Sequence, residues 1–150
     1  MPFAPEWAAP DPHFRAVVEE SFKRQRHMAT LGARLTSVRP GLVVLEAPFD
    51  PRFTQQNGFW HAGAVASLAD SANEYAAYSL APPNTDVLAV EFKINLLAPA
   101  QGERFRAEGR VLRPGRTLTV CFAEVWAHTA SDEQLVATML STIITRPTGP

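Results

Sequence analysis

The stretch that most constrains this chain runs from Gln55 to Leu80, QQNGFWHAGAVASLADSANEYAAYSL. After the polar, glycine-bearing turn Gln55-Gln56-Asn57-Gly58, the residues from Phe59 to Leu80 include no lysine, no arginine and no proline. Alanine is abundant and no clean polar stripe recurs, so the segment is a helix that other structure must enclose, not a surface helix with one face in water. A membrane span would put Asp70, Asn73 and Glu74 in hydrocarbon, where a charge costs several kcal/mol, and that reading is rejected. What remains is a small-residue helix inside a soluble core. It carries two carboxylates, Asp70 and Glu74, one helical turn apart, which packing alone would not select.

A chain of 150 residues is one domain by size and long enough to bury a core without staples. Charged residues make up only 19%, which fits association with a second copy, and the net charge of -1 is spread without a basic face, so no nucleic-acid partner is expected. The single cysteine, Cys121, excludes an intrachain disulfide and a cysteine zinc cluster; within TLTVCFAEVW it reads as a core thiol. His13, His27, His61 and His128 show no ligand spacing with one another, so no metal is implied. The amino terminus has no basic region followed by an apolar one, which makes a cytoplasmic location the default.

Taken in order, the proline-rich first dozen residues suit an extended arm. Asp11-Pro12 predicts a helix start, with Asp11 as N-cap, and Phe14, Val17, Val18, Ser21, Phe22, Gln25 and Met28 recur at helical spacing, giving an outer amphipathic helix that ends near Gly32. Residues 33–38 and 42–47 predict a hairpin about Arg39-Pro40-Gly41. The loop from Pro48 to Trp60 is long enough to have a task beyond connection. After the central helix, Pro82-Pro83 stops it, and four strands are expected over 87–97, 103–112, 117–129 and 134–145, an antiparallel meander because the links are short. One sheet wrapped around one apolar helix, an α+β arrangement, lets each bury the other.

These residues resemble a known family. Asn57-Gly58, His61-Ala62-Gly63, Ser67-Leu68-Ala69-Asp70-Ser71-Ala72 and the strand Val90-Glu91-Phe92-Lys93-Ile94-Asn95-Leu96-Leu97-Ala98-Pro99 are similar, in order and spacing, to the hotdog-fold acyl-CoA thioesterases of the PaaI type, within the 4-hydroxybenzoyl-CoA thioesterase superfamily. The resemblance covers about residues 33–146. It implies a hotdog domain over 33–150 preceded by an arm and helix over 1–32. It also implies a homodimer, often paired again into a dimer of dimers, with active sites between protomers. The substrate would be acyl-CoA, with coenzyme A entering as part of it and no separate cofactor; neither nucleic acid nor membrane is a partner.

The resemblance further implies that Asp70 is general base or nucleophile, that the backbone N–H of Ala62 polarises the thioester carbonyl, and that Gln55 in the preceding loop positions water or the carbonyl. Gln56 and Asn57 compete with Gln55 for that place. Ala62 stands where the family has the first glycine of a His-Gly-Gly turn; an N–H survives the change, while the methyl narrows the pocket. Arg116, beside Gly115, resembles a turn next to the coenzyme, and a solvated strand explains the neighbouring arginines equally well.

The chemistry follows from the residue types. Thioester hydrolysis needs a carboxylate near the carbonyl carbon and donors where oxygen gains charge, and the first N–H groups of a helix, here His61 to Gly63, are such donors. Asp70 lies nine residues beyond His61, about 13 Å along a helix, so the two cannot share a substrate within one chain and a two-fold dimer would make the site composite. Glu74 is a pocket or interface residue whose charge could raise its neighbour's pKa. His61 is either a helix-start residue or an acid. Trp60, Phe59 and Tyr75 either line an acyl pocket or simply pack. Two other readings remain at this stage: a hotdog dehydratase, whose His-Phe-x-x-x-Pro pattern is missing, and a non-catalytic acyl-CoA sensor.

Overall fold

Alternation along the strands and small residues along the helix decide the architecture of this computed structural model, which describes residues 5–149. The first four residues of the expected arm, and Pro150, lie outside that range. The elements are α1 (Phe14–Arg24), α2 (Arg26–Thr30), β1 (Arg34–Arg39), β2 (Leu42–Pro48), a 3-10 turn (Pro51–Phe53), α3 (Ala62–Tyr78), β3 (Thr85–Leu96), β4 (Arg104–Arg113), β5 (Leu118–His128) and β6 (Glu133–Pro147). Six strands form one antiparallel sheet in the order β1-β2-β4-β5-β6-β3. On β5, Thr119, Cys121, Ala123, Val125 and Ala127 are buried and alternate with half-buried neighbours, so one face of the sheet is the core face.

Helix α3 fills that face. Val65, Leu68, Ala69, Ala72, Tyr75 and Ala76 are all buried, and a helix rich in alanine can lie close to a sheet because little side chain stands between the backbones. Gly109 on β4 marks the closest approach: a Cβ there would come within 2.3 Å of the Ala72 carbonyl carbon and 2.6 Å of the Asn73 nitrogen. The Asn73 amide donates to Ser141 Oγ on β6 at 2.5 Å, fixing the helix across the other half of the sheet. The enclosed helix and the α+β sheet wrapped around it are therefore as the sequence implied.

Three expectations need correction. The four later strands are not one meander: β4, β5 and β6 follow one another, but β3 pairs with β6 and not with β4. The link from Leu97 to Glu103 spans three inter-strand spacings, about 14 Å, which an extended segment of that length can reach. The first helix does not run unbroken to Gly32. It breaks at Gln25, whose backbone is extended (φ -79°, ψ 96°), and whose side chain accepts from Ser71 Oγ at 3.1 Å and donates to Tyr75 Oη at 3.3 Å. Finally, Asp11 is not the N-cap: His13 takes that place, and Asp11 Oδ1 accepts the His13 N–H at 2.8 Å in the preceding turn.

The strand order leaves β3 as a sheet edge. Phe92 and Leu96 pair with the core-facing Ser141 and Ala137, so they point to the core side, yet they are 46% and 55% exposed because no helix of this chain covers them. An edge strand of twelve residues with an uncovered apolar row is what proteins normally blunt or pair. A bulge interrupts it: Ala89 pairs with Ile143 and Glu91 with Thr142, leaving Val90 as the extra residue.

Candidate active site

The loop before α3 folds back on itself as a small hairpin. Thr54 bridges to Trp60, His61 N–H donates to the Phe53 carbonyl at 2.8 Å, and Trp60 N–H donates to the Ala100 carbonyl at 2.9 Å. Its tip turns at Gly58, whose φ of +83° suits glycine. Gln55 Oε1 accepts the N–H groups of Asn57 at 2.5 Å and Phe59 at 3.3 Å, so its carbonyl end holds the turn. The NH₂ end of Gln55 makes no hydrogen bond among the described residues, and the side chain lines a groove of about 410 Å³ with Phe59, Trp60, Ala62, Leu96 and Pro99. Asn57 is exposed and outside that groove.

His61 is the N-cap of α3, and its Nδ1 accepts the Gly63 N–H at 2.7 Å. The Gly63 donor is thereby taken, and the His61 ring is used as an acceptor at the helix start. The Ala62 N–H has no hydrogen-bond partner among the described residues, and Ala62 is exposed at the groove. Of the helix-start donors considered in the sequence, Ala62 is the one open to an incoming oxygen. Trp60 is 2% exposed and stacks on Phe105 with centroids 4.2 Å apart, so its main contact is packing even though one edge meets the groove.

Asp70 stands farther along α3. Ala62, Ala66, Asp70, Glu74 and Tyr78, four residues apart, form a row that stays partly open along the whole helix. Asp70 Oδ1 is buried and accepts no hydrogen bond, and burial raises the carboxyl's pKa above the usual value. Glu74 Oε1 accepts the Ala89 N–H at the β3 bulge, 2.9 Å away. Its carboxyl is pushed up to about 7, first by burial and then by the charge of Asp70, against the lowering effect of the Ala89 N–H. Arg116 is exposed in the β4–β5 turn; since Phe105 meets Trp60 and Gly109 meets Ala72, that turn lies beyond the C-terminal half of α3, away from this chain's own groove.

The structure thus brings Gln55, Trp60 and Ala62 to one groove, places His61 and Gly63 in a separate pocket with His27, Arg52 and Ser67, and keeps Asp70 about two and Glu74 about three helical turns from Ala62. Sequence reasoning missed three residues that hold the helix in place. Ser67 Oγ donates to the Gly63 carbonyl at 2.7 Å and so accepts from His27 Nε2 at 2.8 Å, tying α2 to the helix start. Gln25 is the third, and the available signal was its polar side chain, with Ser21, in an otherwise apolar row. Cys121 is fully buried and its thiol is pushed up to about 12, as a core residue should be. Among the described residues no group of three His, Cys, Asp or Glu is placed to hold a metal, and no helix is long and apolar enough to cross a membrane.

Comparison with known proteins bears on what this arrangement does. Residues 57–132, from the loop turn through β5, match the Thioesterase superfamily model. A thioesterase family protein from Silicibacter pomeroyi has a crystal structure that superposes with a TM-score of 0.88 at 48% identity, covering 89% of this chain and 98% of that one. The proofreading thioesterase EntH of Klebsiella pneumoniae is 29% identical over 107 residues, 71% of this chain and 74% of its own. The E. coli PaaI protein shares the fold at 19% identity, with a TM-score of 0.80 over 91% of this chain and 95% of that one. With the matched region containing the loop turn, the helix start and both carboxylates, the chain belongs to the thioesterase superfamily and is, by class, a thioester hydrolase.

Proposed function

We propose that this chain hydrolyses acyl-CoA thioesters to free acid and coenzyme A, at two composite sites formed between two copies. The observation that carries this reading is the Asp70 carboxylate, which is buried at Oδ1, unpartnered, and set on the half-open row of α3 beside an edge strand whose apolar row is uncovered. Asp70 makes no hydrogen bond within the described residues, and its other oxygen, Oδ2, which the chain does not bury, is left to a water or to a donor from a second molecule. Pairing β3 with β3 of another copy covers Phe92 and Leu96 and runs the two α3 helices antiparallel, with Asp70 of one facing Ala62 of the other. A second pairing, through the outer face where Leu112, Leu118 and Leu140 are about half exposed, gives a dimer of dimers.

In that site the thioester oxygen accepts the Ala62 N–H at the positive end of α3 and the free amide of Gln55, while Asp70 of the other copy either removes a proton from water or attacks the carbonyl carbon. Either route adds an oxygen to the carbonyl carbon, collects negative charge where the two donors stand, and expels the coenzyme thiolate; after direct attack, water then cleaves the Asp70 acyl anhydride, freeing the acid and restoring the carboxylate. The antiparallel helices also direct each copy's Arg116 turn toward the partner's groove, where a cation would meet the coenzyme's phosphates.

Release of free thiol from a panel of short aliphatic, aromatic and long-chain acyl-CoAs tests the reading. Turnover of at least one class is expected. Binding of acyl-CoA without thiol release from any of them would contradict it and favour a sensor.

A further inference from the structure

Glu74 has no role in the hydrolysis as described, yet it is held with care. Its Oε1 accepts the one N–H that the β3 bulge sets beside α3, at 2.9 Å, and it has no ion-pair partner among the described residues. It lines an open pocket of about 280 Å³ between α1, α3 and β3. The titratable groups facing it are Asp70, Tyr75 and Tyr78 from α3, Asp86 from β3 and Arg24 from α1. Arg24 is the single cation in that set, and it does not reach ion-pair distance. A carboxylate kept near a second carboxylate, with a backbone amide as its hydrogen-bond donor, is not packing filler, because an apolar residue would fit the same place at lower cost.

We propose that Glu74 is a positioning residue for Asp70: it pins the bulge of β3 beside the carboxylate-bearing turn of α3 and stands as a second negative charge one helical turn away. This deepens the hydrolase reading and rests on it. The order of ionisation follows from the surroundings. Asp70 is raised by burial alone, whereas Glu74 is raised by burial and by the charge Asp70 already carries, so Asp70 loses its proton first and Glu74 keeps its own until about 7. Once Glu74 ionises, its charge makes Asp70 a stronger base, and turnover rises a second time as pH passes neutrality.

The experiment compares the wild-type chain with Glu74→Gln, Glu74→Ala and Asp70→Asn. Carboxyl-¹³C-labelled glutamate, with the Glu74 signal assigned by its loss in Glu74→Gln, should show a midpoint near neutral pH that falls in Asp70→Asn. Hydrogen exchange at the Ala89 amide should be slow in wild type and Glu74→Gln, whose amide oxygen still accepts, and fast in Glu74→Ala. In turnover, Glu74→Gln should keep KM within about threefold while losing the inflexion near neutrality, and Glu74→Ala should lower kcat about tenfold at every pH. A Glu74 midpoint that is the same in Asp70→Asn as in wild type, or Ala89 exchange that is the same in Glu74→Ala as in wild type, overturns the inference. Titration and exchange are read without substrate, so a chain that shows both effects but releases no thiol defeats the hydrolase reading and leaves the Asp70–Glu74 coupling standing.

Discussion

Replacing Asp70 by asparagine should lower kcat/KM for thioester hydrolysis by about two to four orders of magnitude, the usual contribution of a positioned base or nucleophile. The amide has nearly the same shape, so α3 keeps its packing through Leu68, Ala69 and Ala72, all fully buried. It can neither take a proton nor attack a carbonyl. Stability should not fall with activity. Burial raises the Asp70 pKa, so its ionisation disfavours the folded state: the contribution is favourable below the unfolded value of 3.8 and is lost as pH rises through the folded one. An amide escapes that loss, and the thermal midpoint at neutral pH should stay level or rise. For the same reason the acid limb of wild-type activity should lie above the ordinary aspartate range and vanish in the variant. A variant that retains activity within about tenfold of wild type would move the base elsewhere, with Glu74 the first candidate.

Gly109→Ala should be the most damaging small change to the fold. The added methyl carbon would lie 2.3 Å and 2.4 Å from the Ala72 carbonyl group and 2.6 Å from the Asn73 nitrogen. All three are helix backbone atoms, which cannot rotate away as a side-chain tip can, so α3 must lift from β4 along its middle turns. That lift would open the contact that seats Leu68, Ala69 and Ala72, and it would pull Asn73 from Ser141. Overpacking of this kind costs about 3 kcal/mol or more, a large share of a domain's stability. A urea titration should show a markedly lower midpoint. Gly149→Ala serves as the control, since nothing lies within 4 Å of its added carbon. An unchanged midpoint in Gly109→Ala would mean that α3 does not rest on β4 as described.

The helix was legible because its composition permits little else, the stretch from Phe59 to Leu80 having no lysine, arginine or proline, and β5 was legible from its alternation between short turns. The pairing of β3 was not legible, because a short link constrains reach and not partner, and only the finished sheet shows that β6 offers the free edge. The break at Gln25 was hidden by helical periodicity that continues across it; the side chain that breaks the helix is bonded to Ser71 and Tyr75, residues far away in sequence. At the site, Asp70 stood out as a charge in an apolar helix. The use of His61 as an acceptor for Gly63, and of Gln55 Oε1 as the clasp of its own loop, depends on side-chain orientation, which a sequence does not specify. The Glu74 contact with Ala89 was beyond reach for a further reason, since it requires the bulge at Val90.

Subunit complementation tests the composite site most directly. Ala62→Pro removes the N–H and little else: proline is accepted at the first helical position, and the preceding residue, His61, already has φ -62° and ψ 141°, the extended backbone that proline requires before it. Each of Ala62→Pro and Asp70→Asn alone should be nearly inactive. Unfolded together and refolded as a mixture, half of the dimers would pair one of each, and each mixed dimer would hold one site with both groups intact, returning about a quarter of wild-type activity. A mixture no more active than its two components would contradict a site shared between copies.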